Sequence, residues 1–288
     1  MDAPTIGVLR DVTLLVWLAL LIGVAAYKWV RQTRPEAAWN WHGYVDAQPY
    51  LNIDAIVVGA LSMLLLTKLH QVTPDVGEAA AKATPMELEP SSMFLSILFT
   101  LMMCAVLLFY LRAVRNLNPL ELFGLRRLSG GQILGMALLF MIPTFILVTM
   151  TSAVITTWMQ GFWPELNAQE SVEAFKRSKD PLAKSLLVIA AVVVAPIVEE
   201  TIFRGFIYGV IKRFTDSYFA AICSSLLFAI VHLHIGSLVP LTVLALIFCA
   251  AYELTGSLAV TMTMHALFNG TSLAMMILFP EMSHGNAG

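Results

Sequence analysis

The sequence predicts an all-α membrane protein with about eight transmembrane helices around a polar cavity. Of its 288 residues, 58% are hydrophobic and only 12% are charged, and the apolar residues form long runs separated by short polar stretches. Soluble domains carry about 25% charged residues, so a lipid bilayer must cover part of this apolar surface. We expect residues 1–288 to form one integral membrane domain.

Eight apolar segments are candidates for membrane spans, because a helix needs about 20 mostly apolar residues to cross a hydrocarbon core of about 30 Å. They are Thr13–Val30, Ile53–Leu66, Met93–Leu111, Gln132–Ile155, Leu182–Ile211, Tyr218–Leu233, Leu238–Leu254 and Ser257–Phe279. The first lacks the basic start and small-residue cleavage site of a signal peptide, so we interpret it as a span. The second is the shortest and carries Asp54. Polar linkers occupy residues 69–92 and 156–180.

The distribution of basic residues and cysteines indicates which partners and which disulfide bonds to expect. Because the chain has no basic stripe, we expect no nucleic-acid partner. The three cysteines, Cys104, Cys223 and Cys249, lie inside apolar runs without a CxxC spacing. We therefore expect buried free thiols.

Ionisable residues inside the last four spans indicate a functional site, since charges at membrane depth are costly. The run "APIVEETIFRG" places Glu199, Glu200 and Arg204 within one helix. With a rise of about 1.5 Å per residue, Glu200 lies about 18 Å from residue 212 and His232 about 21 Å from residue 218. Measured likewise from residue 257, His265 lies at about 12 Å and Asn269 at about 18 Å. Three helices thus bring polar groups to a similar depth.

The spacing of these polar residues within each helix predicts which of their side chains share a helix face. Glu200 and Arg204 are four residues apart and can pair on one helix face. Glu199 is rotated by about 100° from Glu200, which leaves it free to face the cavity as a general base. His265 and Asn269 also share a face.

Simpler interpretations exist for single members of this set. Glu200 and Arg204 alone could be a helix-packing pair, and His232 alone could be a core histidine. His234 faces the other way and is expected to have no role. We expect Glu253 at the membrane interface, and Asp54 has no assigned role.

Three short runs, "EETIFR", "FAIVH" and "HALFN", resemble the motifs of the CAAX prenyl protease and bacteriocin-processing (CPBP, or Abi) family of intramembrane proteases. This family includes the Ras-converting CAAX endopeptidases. Its pattern is EExxxR, FxxxH and HxxxN or HxxxB on successive helices. The matching residues here are Glu199, Glu200 and Arg204, then Phe228 and His232, then His265 and Asn269. The resemblance covers about residues 119–275, and residues 1–118 are expected to add further transmembrane helices.

The resemblance implies an eight-helix fold with a catalytic cavity inside the membrane. It also implies hydrolysis of a peptide bond near a substrate's C-terminus or beside its membrane segment. The expected partners are the bilayer and a protein or peptide that enters from it, and the expected location is the cytoplasmic membrane of a prokaryote. Prenylated CAAX tails, leader peptides and C-terminal membrane anchors are all open as substrates. The catalytic residues would be Glu199, Glu200, Arg204, His232, His265 and Asn269.

Two chemistries remain open for this site. Glu199 and His232 could polarise a water without a cofactor, while His265 and Asn269 donate hydrogen bonds to the oxyanion. Alternatively, Glu199, His232 and His265 could hold a zinc ion with an open fourth position. The pair of His265 and Asn269 favours the first chemistry, because asparagine is a poor zinc ligand.

Two other classes of function compete with the protease. An ion- or proton-coupled transporter would use buried Glu, His and Arg as a relay. Such a relay needs groups strung along the membrane normal, whereas these residues cluster at one depth. A catalytically inactive membrane scaffold is the other alternative, and an intact motif set argues against it.

Overall fold

The computed structural model describes residues 27–29, 32–33, 43–70, 89–161, 178 and 180–278. Within these ranges every regular element is a helix, so the predicted all-α class is confirmed. Nearly all of the predicted first span, Thr13–Val30, and most of both polar linkers lie outside the described residues. The helices are α1 (Asn52–His70), α2 (Pro90–Phe109), α3 (Pro119–Leu122), α4 (Gly130–Gln160), α5 (Pro181–Phe214), α6 (Ser217–Ile230), α7 (Leu238–Thr255) and α8 (Leu258–Leu278).

Local sequence signals explain where several helices begin. Proline is the first residue of α2, α3 and α5, where its missing N–H costs nothing. Asp180 caps α5 and Asp216 caps α6, since each carboxylate accepts a backbone N–H of the first turn. Ser129 and Gln132 form a reciprocal capping box at the start of α4. The helix α7 ends at Gly256, whose φ of 62° lies in the left-handed region.

Four helical stretches are long and apolar enough to cross a membrane within the described part of the chain. They are Pro90–Val114, Gly130–Gln160, Pro181–Phe214 and Ile235–Thr255. Two shorter apolar helices, Asn52–Leu65 and Ser217–Ile230, accompany them. Helix α8 also has 21 residues, but its histidine, asparagine and threonines make it more polar than these stretches. The protein is therefore a polytopic membrane protein.

Helix α5 changes its winding twice around the two adjacent glutamates. A π-helical segment, Ala190–Val194, precedes the α-helical turn Ala195–Glu200, and a second one, Thr201–Tyr208, follows it. Such π segments inside α-helices are frequent at functional sites. Helix α6 packs against α5 and α7, and α8 packs against α4 and α5. This packing brings α5, α6 and α8 together around the glutamates.

Two acidic residues make buried contacts that the sequence does not predict. The side chain of Glu253, which is expected at the membrane interface, is buried, pairs with Lys212 at 2.5 Å and accepts a hydrogen bond from Tyr208. Asp54, which had no assigned role, is fully buried and pairs with Arg115 at 2.8 Å. Both contacts join segments far apart in sequence, which spacing along one helix cannot reveal. As predicted, the three cysteines are buried free thiols.

Candidate active site

Three helices contribute side chains to one polar cluster. Glu199 lies on α5, His232 lies in the turn after α6, and His265 lies on α8. The Oε2 atom of Glu199 is 3.9 Å from Nε2 of His232 and 3.9 Å from Nε2 of His265. The side chain of Glu199 is 27% exposed, so this carboxylate is partly accessible from outside the protein core. The predicted convergence of these three residues is therefore present.

Glu200, in contrast, is an anchor in the core. Its side chain is fully buried, and its Oε1 accepts one hydrogen bond from Nη1 of Arg204 at 2.8 Å. The same oxygen accepts a second hydrogen bond from Nδ1 of His265 at 3.0 Å. The arginine contact follows from the four-residue spacing. The histidine contact, from another helix, does not, and it gives Glu200 a second task, which is to orient His265.

Aromatic rings enclose the guanidinium of Arg204. Its Cζ lies 4.4 Å from the ring centre of Phe228 and 5.2 Å from that of Phe248. Both distances allow cation–π attraction, which is strongest where water is excluded. Phe228 belongs to the "FAIVH" motif, so the motif phenylalanine packs against the motif arginine. Phe248 lies in the uniformly apolar run of α7, where no sequence signal marks it.

The hydrogen bonds of the two histidines fix which ring nitrogen carries the proton. Nδ1 of His232 is 2.7 Å from the backbone carbonyl oxygen of Phe228. A carbonyl oxygen only accepts, so Nδ1 must be the donor. In the same way, Nδ1 of His265 donates to Oε1 of Glu200, the oxygen that also accepts from Arg204. In the neutral histidines both Nε2 atoms therefore keep a free lone pair, and both face Glu199.

The three converging atoms are all acceptors in this state. Their separation of 3.9 Å is too long for a direct hydrogen bond. It suits a water that donates to two of them. The atoms are also the ligand types of catalytic zinc, but two zinc ligands at about 2.0 Å in a tetrahedron lie only about 3.3 Å apart. No group of three His, Cys, Asp or Glu side chains in the described ranges is arranged to hold a metal ion.

Asn269 lies one turn after His265 on α8, as the spacing predicts. Its Nδ2 donates to the backbone carbonyl oxygen of Ala191 at 2.8 Å. Ala191 belongs to the first π-helical segment of α5. This bond uses one of the two N–H groups of the amide. His234 points elsewhere and accepts the backbone N–H of Ser237, where it caps a 3₁₀ turn.

Comparisons with known proteins find similarity in the segment that contains this cluster of polar side chains. Residues 181–271 match the family model described as "Type II CAAX prenyl endopeptidase Rce1-like". A stretch of 98 residues is 35% identical to a protein of Bacillus subtilis (strain 168) named "Putative membrane peptidase YdiL". The match covers 34% of this chain and 40% of that relative's length. No solved structure matches the chain significantly.

The matched range begins at the start of α5 and ends within α8, so it contains all three motifs and every residue of the cluster. The resemblance predicted from those motifs is thus confirmed by an independent comparison. Residues 181–271 are thus similar in sequence to the CAAX prenyl endopeptidases, the same family that the three motifs resemble.

Proposed function

We propose that this protein is an intramembrane endopeptidase that hydrolyses a peptide bond near the C-terminus or membrane segment of its substrate. One observation carries the proposal: a half-buried carboxylate lies 3.9 Å from the Nε2 atoms of two histidines whose lone pairs are free. The family match of residues 181–271 supports the same reaction class. The groups cluster at one place instead of forming a chain across the membrane, which favours hydrolysis over transport.

The hydrogen-bond acceptors of the site, the carboxylate of Glu199 and the Nε2 atoms of the two histidines, suggest how the attacking water is oriented. A water that donates one O–H to Glu199 and the other to His232 directs an oxygen lone pair away from both. That lone pair attacks the carbonyl carbon of the substrate, and the proton passes to Glu199. When the tetrahedral intermediate collapses, Glu199 returns this proton to the leaving amine nitrogen. The C–N bond breaks in this step, so the products are a new carboxylic acid and a new amine, and Glu199 is again a carboxylate. The new acid then gives its remaining proton to the amine.

The developing oxyanion needs hydrogen-bond donors. The second N–H of Asn269 is one donor in this proposal. His265 is the other, but its Nδ1–H is already bound to Glu200, so it donates from Nε2 only when it carries a second proton.

A zinc-dependent version of the reaction would use the same residues. Oε2 of Glu199 and the Nε2 atoms of His232 and His265 would hold the ion, which would act as a Lewis acid on the substrate carbonyl. The donor types fit zinc, although their spacing is wider than a closed tetrahedral site. We propose the version without a cofactor.

The expected setting follows from the fold and the relative. The substrate enters from the lipid bilayer, since the site lies on membrane helices. The relative comes from Bacillus subtilis, which supports the cytoplasmic membrane of a prokaryote as the location.

A cleavage assay tests the proposal. The protein purified in detergent is incubated with a library of peptides that carry apolar C-terminal or membrane segments, with and without a metal chelator. We expect cleavage in both conditions. Cleavage that is lost with chelator and restored by zinc would replace the proposed chemistry with the metal-dependent one. No cleavage of any peptide would contradict the protease itself.

A further inference from the structure

Residues 43–51, which we call the N-terminal strap, form a non-helical segment before α1. The strap lies against the ends of α5 and α7. The backbone N–H of Tyr44 donates to the carbonyl oxygen of Glu253 at 2.7 Å. Lys212 donates to the carbonyl oxygen of Val45 at 2.8 Å, and Arg213 donates to that of Tyr50 at 3.3 Å. The strap thus follows a fixed path that ends at the side chain of Tyr50.

Tyr50 inserts into the core at the second π-helical segment of α5. Its side chain is 2% exposed, and its hydroxyl donates to the carbonyl oxygen of Gly205 at 2.6 Å. Its ring packs edge-on against Phe206, with 6.0 Å between centroids. A Cβ added at Gly209 would come within 2.6 Å of that ring. Burial raises the pKa of Tyr50 well above its usual value, so the hydroxyl stays protonated as a donor.

Gly205, whose carbonyl oxygen accepts the hydrogen bond from Tyr50, directly follows Arg204 in the sequence, and Arg204 pairs with Glu200. On the other side of the glutamates, Asn269 donates to Ala191 in the first π-helical segment. Each π segment that flanks Glu199 is therefore bound by a side chain from another part of the chain. Groups that insert into the hydrogen-bond ladder of a helix set its local winding. The winding between these two contacts determines the direction in which Glu199 faces.

We propose that Tyr50 is a positioning residue for the candidate active site: its bond to Gly205 holds α5 in the winding that aims Glu199 at His232 and His265. The inference rests on the proposed protease function. Tyr50 does not touch the reacting atoms and acts through the backbone of α5. A segment before α1, outside the family match, thus becomes part of the machinery that orients the general base.

The test compares Tyr50→Phe with Tyr44→Phe in the full-length protein. Both changes remove only a hydroxyl from the strap, and Tyr44 is exposed. For Tyr50→Phe we expect kcat to fall about tenfold with KM unchanged, which is the size of effect that one hydrogen bond supplies. Tyr44→Phe should match the wild type. A Tyr50→Phe kcat equal to that of the wild type would overturn the proposal, and so would an equal loss in both variants.

Hydrogen–deuterium exchange of peptides that cover residues 200–210 provides a readout independent of cleavage. We expect faster exchange in Tyr50→Phe than in Tyr44→Phe or the wild type. If the wild type cleaves no peptide, the protease proposal fails, while this comparison still decides whether Tyr50 fixes the winding of α5. Faster exchange with unchanged kcat would make Tyr50 a structural residue only and would overturn the positioning role.

A second variant keeps the test decisive if Tyr50→Phe does not fold. Gly209→Ala displaces the Tyr50 ring through the added Cβ and leaves the hydroxyl intact. We expect the same pattern of lower kcat, unchanged KM and faster exchange at residues 200–210. Wild-type kinetics together with wild-type exchange in Gly209→Ala would contradict the proposal.

Discussion

Two adjacent glutamates in this protein have opposite surroundings. The side chain of Glu199 is 27% exposed, and its Oε2 lies 3.9 Å from Nε2 of His232 and of His265. That of Glu200 is fully buried and binds Arg204 and His265. The rotation of about 100° between successive residues of a helix produces this contrast. The same chemical change at the two positions should therefore have different effects.

Glu199→Gln should abolish cleavage and leave folding intact. An amide of the same shape cannot take the proton of the attacking water, and general-base catalysis contributes about 10²–10⁴-fold. The measurement is the cleavage rate together with the thermal unfolding midpoint in detergent. A variant that cleaves at more than about a tenth of the wild-type rate would exclude Glu199 as the base.

Glu200→Gln should lower stability as well as activity. Arg204 would lose its charged partner in a buried site, a loss that costs about 3–5 kcal/mol, and His265 would lose the acceptor that orients it. The thermal unfolding midpoint in detergent should fall well below that of Glu199→Gln, which serves as the matched control. Equal midpoints for the two variants would refute the anchoring role.

Asn269→Ala should lower kcat by about 10²–10³-fold and barely alter KM, because an oxyanion donor acts mainly in the transition state. The metal content of the purified protein should not change, since Asn269 is not a ligand in either version of the chemistry. A parallel loss of metal and activity would favour the zinc version. An unchanged kcat would make Asn269 a packing residue that only binds Ala191.

At the scale of single elements, helix geometry explains what the sequence could predict. The Glu200–Arg204 pair and the shared face of His265 and Asn269 follow from a repeat of 3.6 residues, and both are present in the structure. The bond between Glu200 and His265 joins positions 65 residues apart. It depends on how α5 and α8 pack, which periodicity within one helix does not determine.

The winding of α5 is the second feature that sequence patterns miss. In the uniformly apolar run "AAVVV" a π-helical turn and an α-helical turn have the same hydropathy, so no periodic signal separates them. The second π segment, Thr201–Tyr208, is buried on every side, and therefore no solvent-exposed face marks its phase. Contacts from Asn269 and Tyr50, both remote in sequence, accompany these segments.

At the scale of the whole molecule, buried polar contacts join helices α1 and α2, which both precede the segment that matches the family model. Asp54 at the start of α1 accepts hydrogen bonds from Tyr110 at 2.7 Å and from Arg115 at 2.8 Å. The bond to Asp54 raises the pKa of Arg115, so this arginine stays charged. The contact ties α1 to the end of α2.

Asp54→Asn should therefore lower the thermal unfolding midpoint, because Arg115 keeps its charge and loses a buried carboxylate. The expected loss is about 1–3 kcal/mol. Asp46→Asn is a matched control, since Asp46 is exposed and caps only a turn of the strap through Gln48. The midpoint of the control should equal that of the wild type. If both variants unfold at the wild-type temperature, Asp54 does not hold α1 in place.

The short length of α6 has a consequence for hydration. Its 14 residues span about 21 Å, less than the hydrocarbon core of about 30 Å. After the helix ends at Ile230, the chain turns through His232 and Leu233, and the φ of 54° at Leu233 lies in the left-handed region outside any regular element. Irregular backbone at membrane depth is stable only inside protein or beside a water-filled cavity. For the proposed protease, we therefore expect an aqueous recess beside the turn at His232, beneath one membrane surface, to supply the water that hydrolysis consumes.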